Sequence, residues 1–286
     1  MPESALSEPC SFSKYKAARY PSWMEVLFGM HPVEEAIRAG GRQLDHVSFA
    51  RERKDAKLEA LMLACRNAGV RVTSEPKEQL SRHAKTDAHQ GVVAFVRERK
   101  FLDLEDLLVP RADGGHRFFL ALDSVEDPHN LGALLRSADG AGVDGVILPE
   151  RRSAPITGTV AKVSAGASEH VRVARVVNLV RALERLKEDH VWVVGLDERG
   201  TPDYTDFDFR MDCVLVLGSE GSGLHDLVRK TCDHLLRIPM AGNVSSLNVS
   251  VAGAVVMYEA ARQRRAIASG AKPAAATSKP RKGLGS

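Results

Sequence analysis

The sequence predicts a two-domain α/β protein, with a small N-terminal domain and a larger domain built on a mostly parallel sheet. Two observations support this prediction. Short apolar, β-branched runs alternate with helical patterns along most of the chain, and a charged stretch near residues 97–117, broken by a proline and an Asp-Gly-Gly turn, divides them into two groups. Continuous apolar runs separated by helices are typical of parallel strands covered on both faces.

The first group, residues 23–98, alternates helices with strands. In order, the pattern predicts a helix at 33–39, a strand at 44–49, a helix at 55–67, a strand at 70–73, a helix at 76–83 and a strand at 92–96. Glycines follow the first two helices, where this residue commonly ends a helix. About seventy residues is within the usual size of a domain. We expect residues 1–22 to be a disordered lead-in and 99–117 to be a linker.

The second group, residues 118–265, again alternates strand and helix. The predicted strands lie at 118–122, 145–148, 171–173, 191–196, 214–217 and 235–238, and the predicted helices at 128–141, 176–187, 224–230 and 247–262. By pattern alone this is a Rossmann-like sheet. The Gly-x-Gly-x-x-Gly signature is absent after its first strand, so the sequence gives little support to dinucleotide binding.

Composition excludes some classes of protein and leaves others open. No run approaches eighteen apolar residues and residues 1–9 lack an apolar signal core, so we expect a cytoplasmic protein that does not enter a membrane. The four cysteines and ten histidines show no metal-ligand spacing, and we expect no metal. Seven basic and no acidic residues lie at 262–286, leaving a net charge of −4 on the remainder. The tail at 266–286 therefore reads as basic and disordered; it would bind phosphates or act only as a solubilising end.

The first chemically distinctive segment begins the helix predicted at 128–141. Asp127 is a suitable N-cap and Pro128 suits the first helical position. One face of the helix is an apolar stripe made of Leu131, Leu134, Leu135 and Ala138. Arg136 points roughly away from this stripe. Taken alone, such an arginine is normally a solvated surface residue.

The second segment, 217–224, runs from a strand directly into a helix and contains three glycines. Glycine lets the backbone approach a ligand closely, and ligands bind at the carboxyl ends of parallel strands. The segment lacks the Lys-Ser/Thr ending of a phosphate-binding loop, and Glu220 in its middle would repel phosphate. The carboxylate suits a hydrogen-bond donor or a positive charge. The plainer interpretation is a tight connection with a solvated glutamate.

The third segment, 238–250, is a polar loop with a glycine hinge in front of a nearly all-apolar helix. Such a helix is expected in a core or a subunit interface, so we expect the serines and asparagine at its start to lie deep in the protein. Ser245 or Ser246 is a candidate N-cap. Capping explains one serine but not the whole group of Ser, Ser, Asn and Ser.

Together, Asn-x-Gly-x-x-x-Arg, Gly-Ser-Glu-Gly-x-Gly-Leu and Ile-Pro-Met-x-Gly-x-x-x-Ser-Leu-Asn-Val-Ser resemble the three motifs of the SpoU/TrmH family of RNA 2′-O-methyltransferases, in the SPOUT superfamily. The segments 27–33 and 90–94 are similar to the ribosomal-protein-L30-like (L30e-like) substrate domain of that family. The arrangement is most similar to the bacterial 23S rRNA guanosine 2′-O-methyltransferase branch. Enzymes acting on tRNA or other rRNA share the motifs, and a non-catalytic ribosome-assembly protein on the same scaffold is the alternative class.

The resemblance implies a trefoil-knotted domain, with the knot at about 191–260, and a homodimer formed through that domain and the last helix. It implies an RNA substrate and S-adenosylmethionine, the latter held by Leu217, Gly218, Gly221, Ile238, Met240, Ser246 and Leu247. It places at the catalytic site Asn130, Arg136, Glu220, Ser246 and Asn248. Because a guanidinium is effectively always protonated, we expect Arg136 to clamp a phosphate and stabilise the emerging alkoxide rather than act as the general base.

Overall fold

The computed structural model describes residues 20, 21 and 23–268, with side chains to residue 265. The lead-in expected at 1–22 and the tail expected at 266–286 therefore lie almost wholly outside the described residues. Two sheets, one of four strands and one of six, organise the rest of the chain.

The N-terminal sheet has the strand order β1-β4-β2-β3. Its elements are β1 (Met24–Phe28), α1 (Met30–Ala39), β2 (Leu44–Ala50), α2 (Ala56–Asn67), β3 (Arg71–Glu75), α3 (Lys77–Ala84) and β4 (Val92–Arg97). β4 is antiparallel to both β1 and β2, while β2 and β3 are parallel. Asp55 caps α2 by accepting a 3.0 Å hydrogen bond from the amide of Leu58. The sequence did not predict β1, because Glu25 interrupts its short apolar run; pairing with β4 stabilises it.

A short helix follows the N-terminal sheet in sequence and precedes the C-terminal one. α4 (Leu104–Leu107) begins with a capping box formed by Asp103 and Asp106. Its buried residues, Leu104 and Leu107, belong to the apolar core of the C-terminal sheet. The stretch predicted as a linker is therefore partly structured, because two leucines and a cap are enough to dock one helical turn against a larger apolar surface.

The C-terminal sheet has the order β10-β8-β9-β5-β6-β7, and every neighbouring pair is parallel. Its elements are β5 (Phe118–Leu122), α5 (Pro128–Ala141), β6 (Gly145–Pro149), α6 (Gly158–Val163), β7 (Val173–Val176), α7 (Leu179–Glu188), β8 (Trp192–Leu196), β9 (Cys213–Leu217), α8 (Asp226–Thr231), β10 (His234–Leu236) and α9 (Val249–Ala268). The strand predicted at 171–173 was wrong in its bounds: β7 begins two residues later and ends three residues later, at 173–176. The helix predicted from 176 begins later, since Asn178 caps it at the amide of Arg181.

Both faces of the C-terminal sheet are buried. Along β5, Phe118, Leu120 and Leu122 join the core beneath α5 and α9. The alternate residues, Phe119 and Ala121, join the opposite core beneath α4, α7 and α8. This alternation on a strand that is buried on both sides explains why the sequence shows continuous apolar runs rather than a polar-apolar pattern.

The two domains are tightly packed through α6 and the turn after it. A Cβ atom added at Gly158 would lie 2.4 Å from the carbonyl oxygen of Val26, so only glycine fits there. Glu169, with a side chain 1% exposed, lies 3.4 Å from the Arg42 guanidinium and 3.5 Å from that of Arg99. Breaking a buried ion pair by removing one partner leaves an uncompensated charge. Close backbone contact and buried charge therefore join the N-terminal domain to the C-terminal one.

Candidate functional site

The polar segments meet at the carboxyl edge of the C-terminal sheet, where β5 and β9 end side by side. Leu122 pairs with Leu217 at the last position of this ladder. From β5 the chain continues to β6 and β7 on one side, while β8 and β10 lie on the other side of β9. A parallel sheet has a crevice where its connections diverge in this way, and ligands bind there.

Asn248 joins the three motifs. Its Nδ2 donates to Oδ1 of Asn130 at 3.0 Å and also to Oε1 of Glu220. Its Oδ1 accepts hydrogen bonds from the amides of Ser250, at 2.9 Å, and Val251, at 3.4 Å. Both ends of the side-chain amide are thus used, one to cap α9 and the other to hold the catalytic-site candidates together.

Glu220 lies in a closed loop that only glycine permits. Ser219 and Gly223 exchange two backbone hydrogen bonds of 3.1 Å, which fold the loop back on itself. A Cβ at Gly218 would lie 2.1 Å from the carbonyl carbon of Gly223, and Gly221 and Gly223 have φ angles of 88° and 65°. These are left-handed conformations that favour glycine. The glycines of the second motif therefore set the position of the Glu220 carboxylate.

A first cavity, of about 240 Å³, lies beside this loop. All seven residues predicted to bind the cofactor line it: Leu217, Gly218, Gly221, Ile238, Met240, Ser246 and Leu247. Asp197, Glu198 and Arg199, which follow β8, add charged groups to its wall. The cavity is slightly smaller than the usual range for drug-sized ligands, and its rim at 240–248 is exposed, so a ligand there would be partly reached by solvent.

A second cavity, of about 450 Å³, adjoins the first. The two share four wall residues: Ser219, Glu220, Ser222 and Val249. Asn130 lines only the second cavity. The cluster of Asn130, Glu220 and Asn248 therefore lies where the two cavities meet.

The sequence analysis missed a group of residues at the second cavity, of which His225 and Arg152 line the wall and Asp123 contacts His225. The Asp123 carboxylate accepts hydrogen bonds from the backbone amide of His225, at 2.8 Å, and from its Nδ1, at 3.0 Å. Nε2 of His225 lies 3.4 Å from Nη1 of Arg152. The position of Asp123 directly after a buried strand, at the binding edge, was the signal that would have found it.

Two predicted catalytic residues do not join the cluster in the single chain. Arg136 is exposed, follows Asn130 by six residues, or about 240° around α5, and makes no hydrogen bond or ion pair within the part of the chain described. Ser246 is exposed on the rim of the first cavity. Asn130, Glu220 and Asn248 are the predicted residues that are in contact.

Two expectations about the loop before the last helix were wrong. Residues 241–248 are exposed in the single chain, not buried, because the helix presents only one apolar face to the core. The cap is Asn248 rather than Ser245 or Ser246, and the helix begins at Val249 rather than at 247. A second face of α9 carries half-exposed apolar residues, with Val251 48% and Tyr258 47% exposed.

Comparison with family models identifies both halves of the chain. The model described as the SpoU rRNA Methylase family matches residues 117–258, and one described as RNA 2′-O ribose methyltransferase substrate binding matches residues 26–102. The chain is 44% identical over 246 residues to the 23S rRNA (guanosine-2′-O-)-methyltransferase RlmB of Ralstonia nicotianae, covering 85% of this chain and 97% of that protein. It is 40% identical over 244 residues to the putative TrmH family tRNA/rRNA methyltransferase YacO of Bacillus subtilis, with the same coverages.

Among solved structures, the SpoU methyltransferase AviRb from Streptomyces viridochromogenes, crystallised in complex with the cofactor AdoMet, superposes with a TM-score of 0.73. That chain is 27% identical, and the match covers 86% of this chain and 92% of AviRb. The expected fold class, a knotted parallel-sheet methyltransferase domain preceded by a smaller α/β domain, is confirmed. No helix in the described part of the chain is long and apolar enough to cross a membrane. Within the same residues, His, Cys, Asp and Glu form no group of three that could hold a metal ion.

Proposed function

Because the chain belongs to the SpoU rRNA methylase family of RNA 2′-O-methyltransferases, we propose that it transfers the methyl group of S-adenosylmethionine to the ribose 2′-hydroxyl of a guanosine in 23S rRNA. The observation that carries this proposal is the contact of Asn130, Glu220 and Asn248 where two cavities meet. A methyl transfer needs one site for the methyl donor and an adjoining site for the acceptor. An rRNA substrate places the reaction in the bacterial cytoplasm.

The first cavity suits S-adenosylmethionine. Leu217, Ile238, Met240 and Leu247 provide apolar surface for the adenine, and Gly218 brings free backbone groups to its edge. When bound, S-adenosylmethionine supplies an electrophilic methyl group on a positively charged sulfonium. The wall carries the carboxylates of Asp197, Glu198 and Glu220 against the guanidinium groups of Arg199 and Arg229, and this excess of one negative charge would favour the sulfonium over a phosphate.

The second cavity suits the acceptor ribose. Asn248 occupies Oδ1 of Asn130 and Oε1 of Glu220, which leaves Nδ2 of Asn130 to donate and the other oxygen of Glu220 to accept. These groups can bind the ribose oxygens in a fixed orientation. An unactivated hydroxyl is a poor nucleophile, so holding it in line with the methyl group is a large part of catalysis. Ser246, on the rim, would contact the donor from the opposite side.

We assign Arg136 to a phosphate of the RNA. Its guanidinium stays protonated, which suits an anion and not the role of general base. It is exposed on α5, whose contact with α9 brings Tyr258 close to Gly140. The half-exposed Val251 and Tyr258 extend this surface on α9, and we propose that a homodimer forms through it. Arg136 then lies at the edge of the dimer, where RNA enters the site.

Exposed basic residues support RNA binding by the N-terminal domain. Arg51, Arg53 and Lys54 are exposed in the loop after β2. Arg53 donates to the carbonyl of Gln90 at 2.5 Å, so this loop and the one before β4 lie together. Lys162 of α6 contacts the carbonyl of Ala88 in the same region. These basic groups lie where the N-terminal domain meets α6, and they would bind phosphates of the RNA.

The experiment that tests the proposal maps 2′-O-methylation in rRNA and tRNA from cells with and without this protein. Loss of one 2′-O-methylguanosine from 23S rRNA, restored by the wild-type protein but not by Glu220→Ala, is expected. Calorimetric titration with S-adenosylmethionine separates an enzyme from a non-catalytic ribosome-assembly protein. An unchanged 23S rRNA with a methyl group missing from a tRNA would move the substrate assignment to tRNA.

A further inference from the structure

We propose that the second cavity binds the guanine base of the acceptor nucleoside, with Glu126 and Arg152 reading its hydrogen-bonding edge. This inference rests on the proposed function, since it identifies what the acceptor side of that site recognises. The second cavity has a volume of about 450 Å³, which is within the usual range for small-ligand sites. The cavity touches the catalytic cluster through Asn130 and Glu220, so a base held there carries its own ribose to the reacting groups.

The charges in the cavity favour a base over a phosphate. Its wall contains the carboxylates of Glu126, Asp127 and Glu220 against the single guanidinium of Arg152 and the imidazole of His225. Negative groups in the majority would repel a phosphate. A neutral base that presents hydrogen-bond donors on one side and acceptors on the other would find a partner for each.

Guanine has this pattern. Its N1–H and 2-amino groups are adjacent donors, which match the two oxygens of one carboxylate, and its O6 and N7 are acceptors that suit a bidentate arginine. Enzymes that take a nucleotide out of a stack read the exposed base by hydrogen bonds to its edge. Adenine has an acceptor at N1 and no 2-amino group, so a carboxylate facing N1 and C2 would find no donor there, and the 6-amino group would face the arginine.

Glu126 is the carboxylate available for this role. The neighbouring Asp127 already accepts a 2.9 Å hydrogen bond from the amide of His129 as the cap of α5. Glu220 is held by Asn248. Glu126 is exposed and makes no hydrogen bond or ion pair with any residue that the structure describes. Both of its oxygens are therefore available to the adjacent donors of guanine.

Arg152 is positioned by a contact with His225. Nδ1 of His225 donates to the Asp123 carboxylate at 3.0 Å, which orients the ring, and its Nε2 lies 3.4 Å from Nη1 of Arg152. Arg152 and Ser124, both in the cavity wall, have left-handed φ angles of 57° and 63°. Non-glycine residues keep this conformation only where the surrounding structure requires it, often at ligand sites. The loops on both sides of the cavity are thus fixed in unusual conformations.

The test compares methylation of a 23S rRNA fragment carrying guanosine or inosine at the modified position. Inosine lacks only the 2-amino group, so wild-type protein should show kcat/KM on it about 10-fold lower, toward the smaller end of the discrimination from a bidentate contact. Glu126→Ala should lower kcat/KM on the guanosine RNA, so that the kcat/KM values for the two RNAs differ by no more than about 2-fold. Arg152→Met should lower kcat/KM equally for the two RNAs, since guanosine and inosine both retain O6.

Arg151→Met is the matched control. Arg151 is exposed and adjacent in sequence but does not line the cavity, so this variant should keep the wild-type ratio. Titration with S-adenosylmethionine and thermal melting confirm that each variant is folded. Equal rates on both RNAs for the wild type, or an unchanged ratio in Glu126→Ala, would overturn the guanine assignment and leave the methyltransferase intact. Wild-type protein that methylates neither RNA would overturn the proposed function, and this inference with it.

Discussion

Asn248→Ser separates the two roles of Asn248. Serine is about as good an N-cap as asparagine, so its hydroxyl can still accept from the amides of Ser250 and Val251 at the start of α9. It has no nitrogen to reach Asn130 and Glu220. The substitution therefore keeps the cap and removes the connection among the three motifs.

The expected loss follows from the two hydrogen bonds. The bond to the neutral Asn130 is worth about 1 kcal/mol and the bond to the charged Glu220 about 1.5–3 kcal/mol. If that free energy holds the reacting groups in place, kcat falls about 100-fold. Glu220 is exposed and water can replace its bond, but Asn130 is buried and loses its partner, so stability should fall by about 1 kcal/mol, or roughly 4 °C in the melting temperature of the C-terminal domain.

The assay measures single-turnover methyl transfer, the affinity for S-adenosylmethionine and the melting temperature on the same samples. Asn248→Ala is the comparison, because it loses the cap as well and should cost about 1 kcal/mol more in stability. An Asn248→Ser protein with kcat within about 3-fold of wild type would refute the assigned role. So would a loss of activity matched by a large fall in melting temperature.

Three further predictions concern other parts of the chain. Arg136→Lys keeps the charge but loses the planar fork, so methyl transfer should fall at least about 10-fold while titration shows unchanged S-adenosylmethionine binding; near-normal turnover would contradict the phosphate role. Glu169→Gln leaves the buried Arg99 guanidinium without its carboxylate and Arg42 with Glu25 alone, and denaturant unfolding should show a loss of about 3 kcal/mol. Burial raises the pKa of Cys65 and Cys213 to about 11 and that of Cys232 to about 12, so at pH 8 they stay protonated and should react with a thiol reagent only after unfolding.

The sequence predicted the elements whose signals are local. α5 matches its predicted bounds at both ends because Asp127, Pro128 and Gly142 mark them. β1, α4 and α6 were missed because each is short and becomes stable only through contact with another part of the chain: β1 through β4, α4 through the large sheet, and α6 through both domains.

The candidate site was predicted in composition but not in arrangement. The family resemblance carried by the three motifs implied seven of the residues that line the first cavity and the three that meet at its edge. The second cavity depends on loops after β5, β6 and β9 that approach only in the folded sheet, so Arg152 carried no recognisable pattern and Asp123 only its position after a buried strand. Exposure was misjudged for a related reason. An apolar helix indicates burial, but not whether its own chain or a second copy covers each face.

The absence of a side chain at Gly158 and the buried charge of Glu169 have a consequence for substrate choice. Since the domains are joined without room to slide, the distance between the basic loops and the cluster of Asn130, Glu220 and Asn248 is fixed. An RNA then has to match that distance as well as offer the right nucleotide. An RNA whose target nucleotide lies nearer to or farther from the segment bound by the N-terminal domain should therefore remain unmethylated.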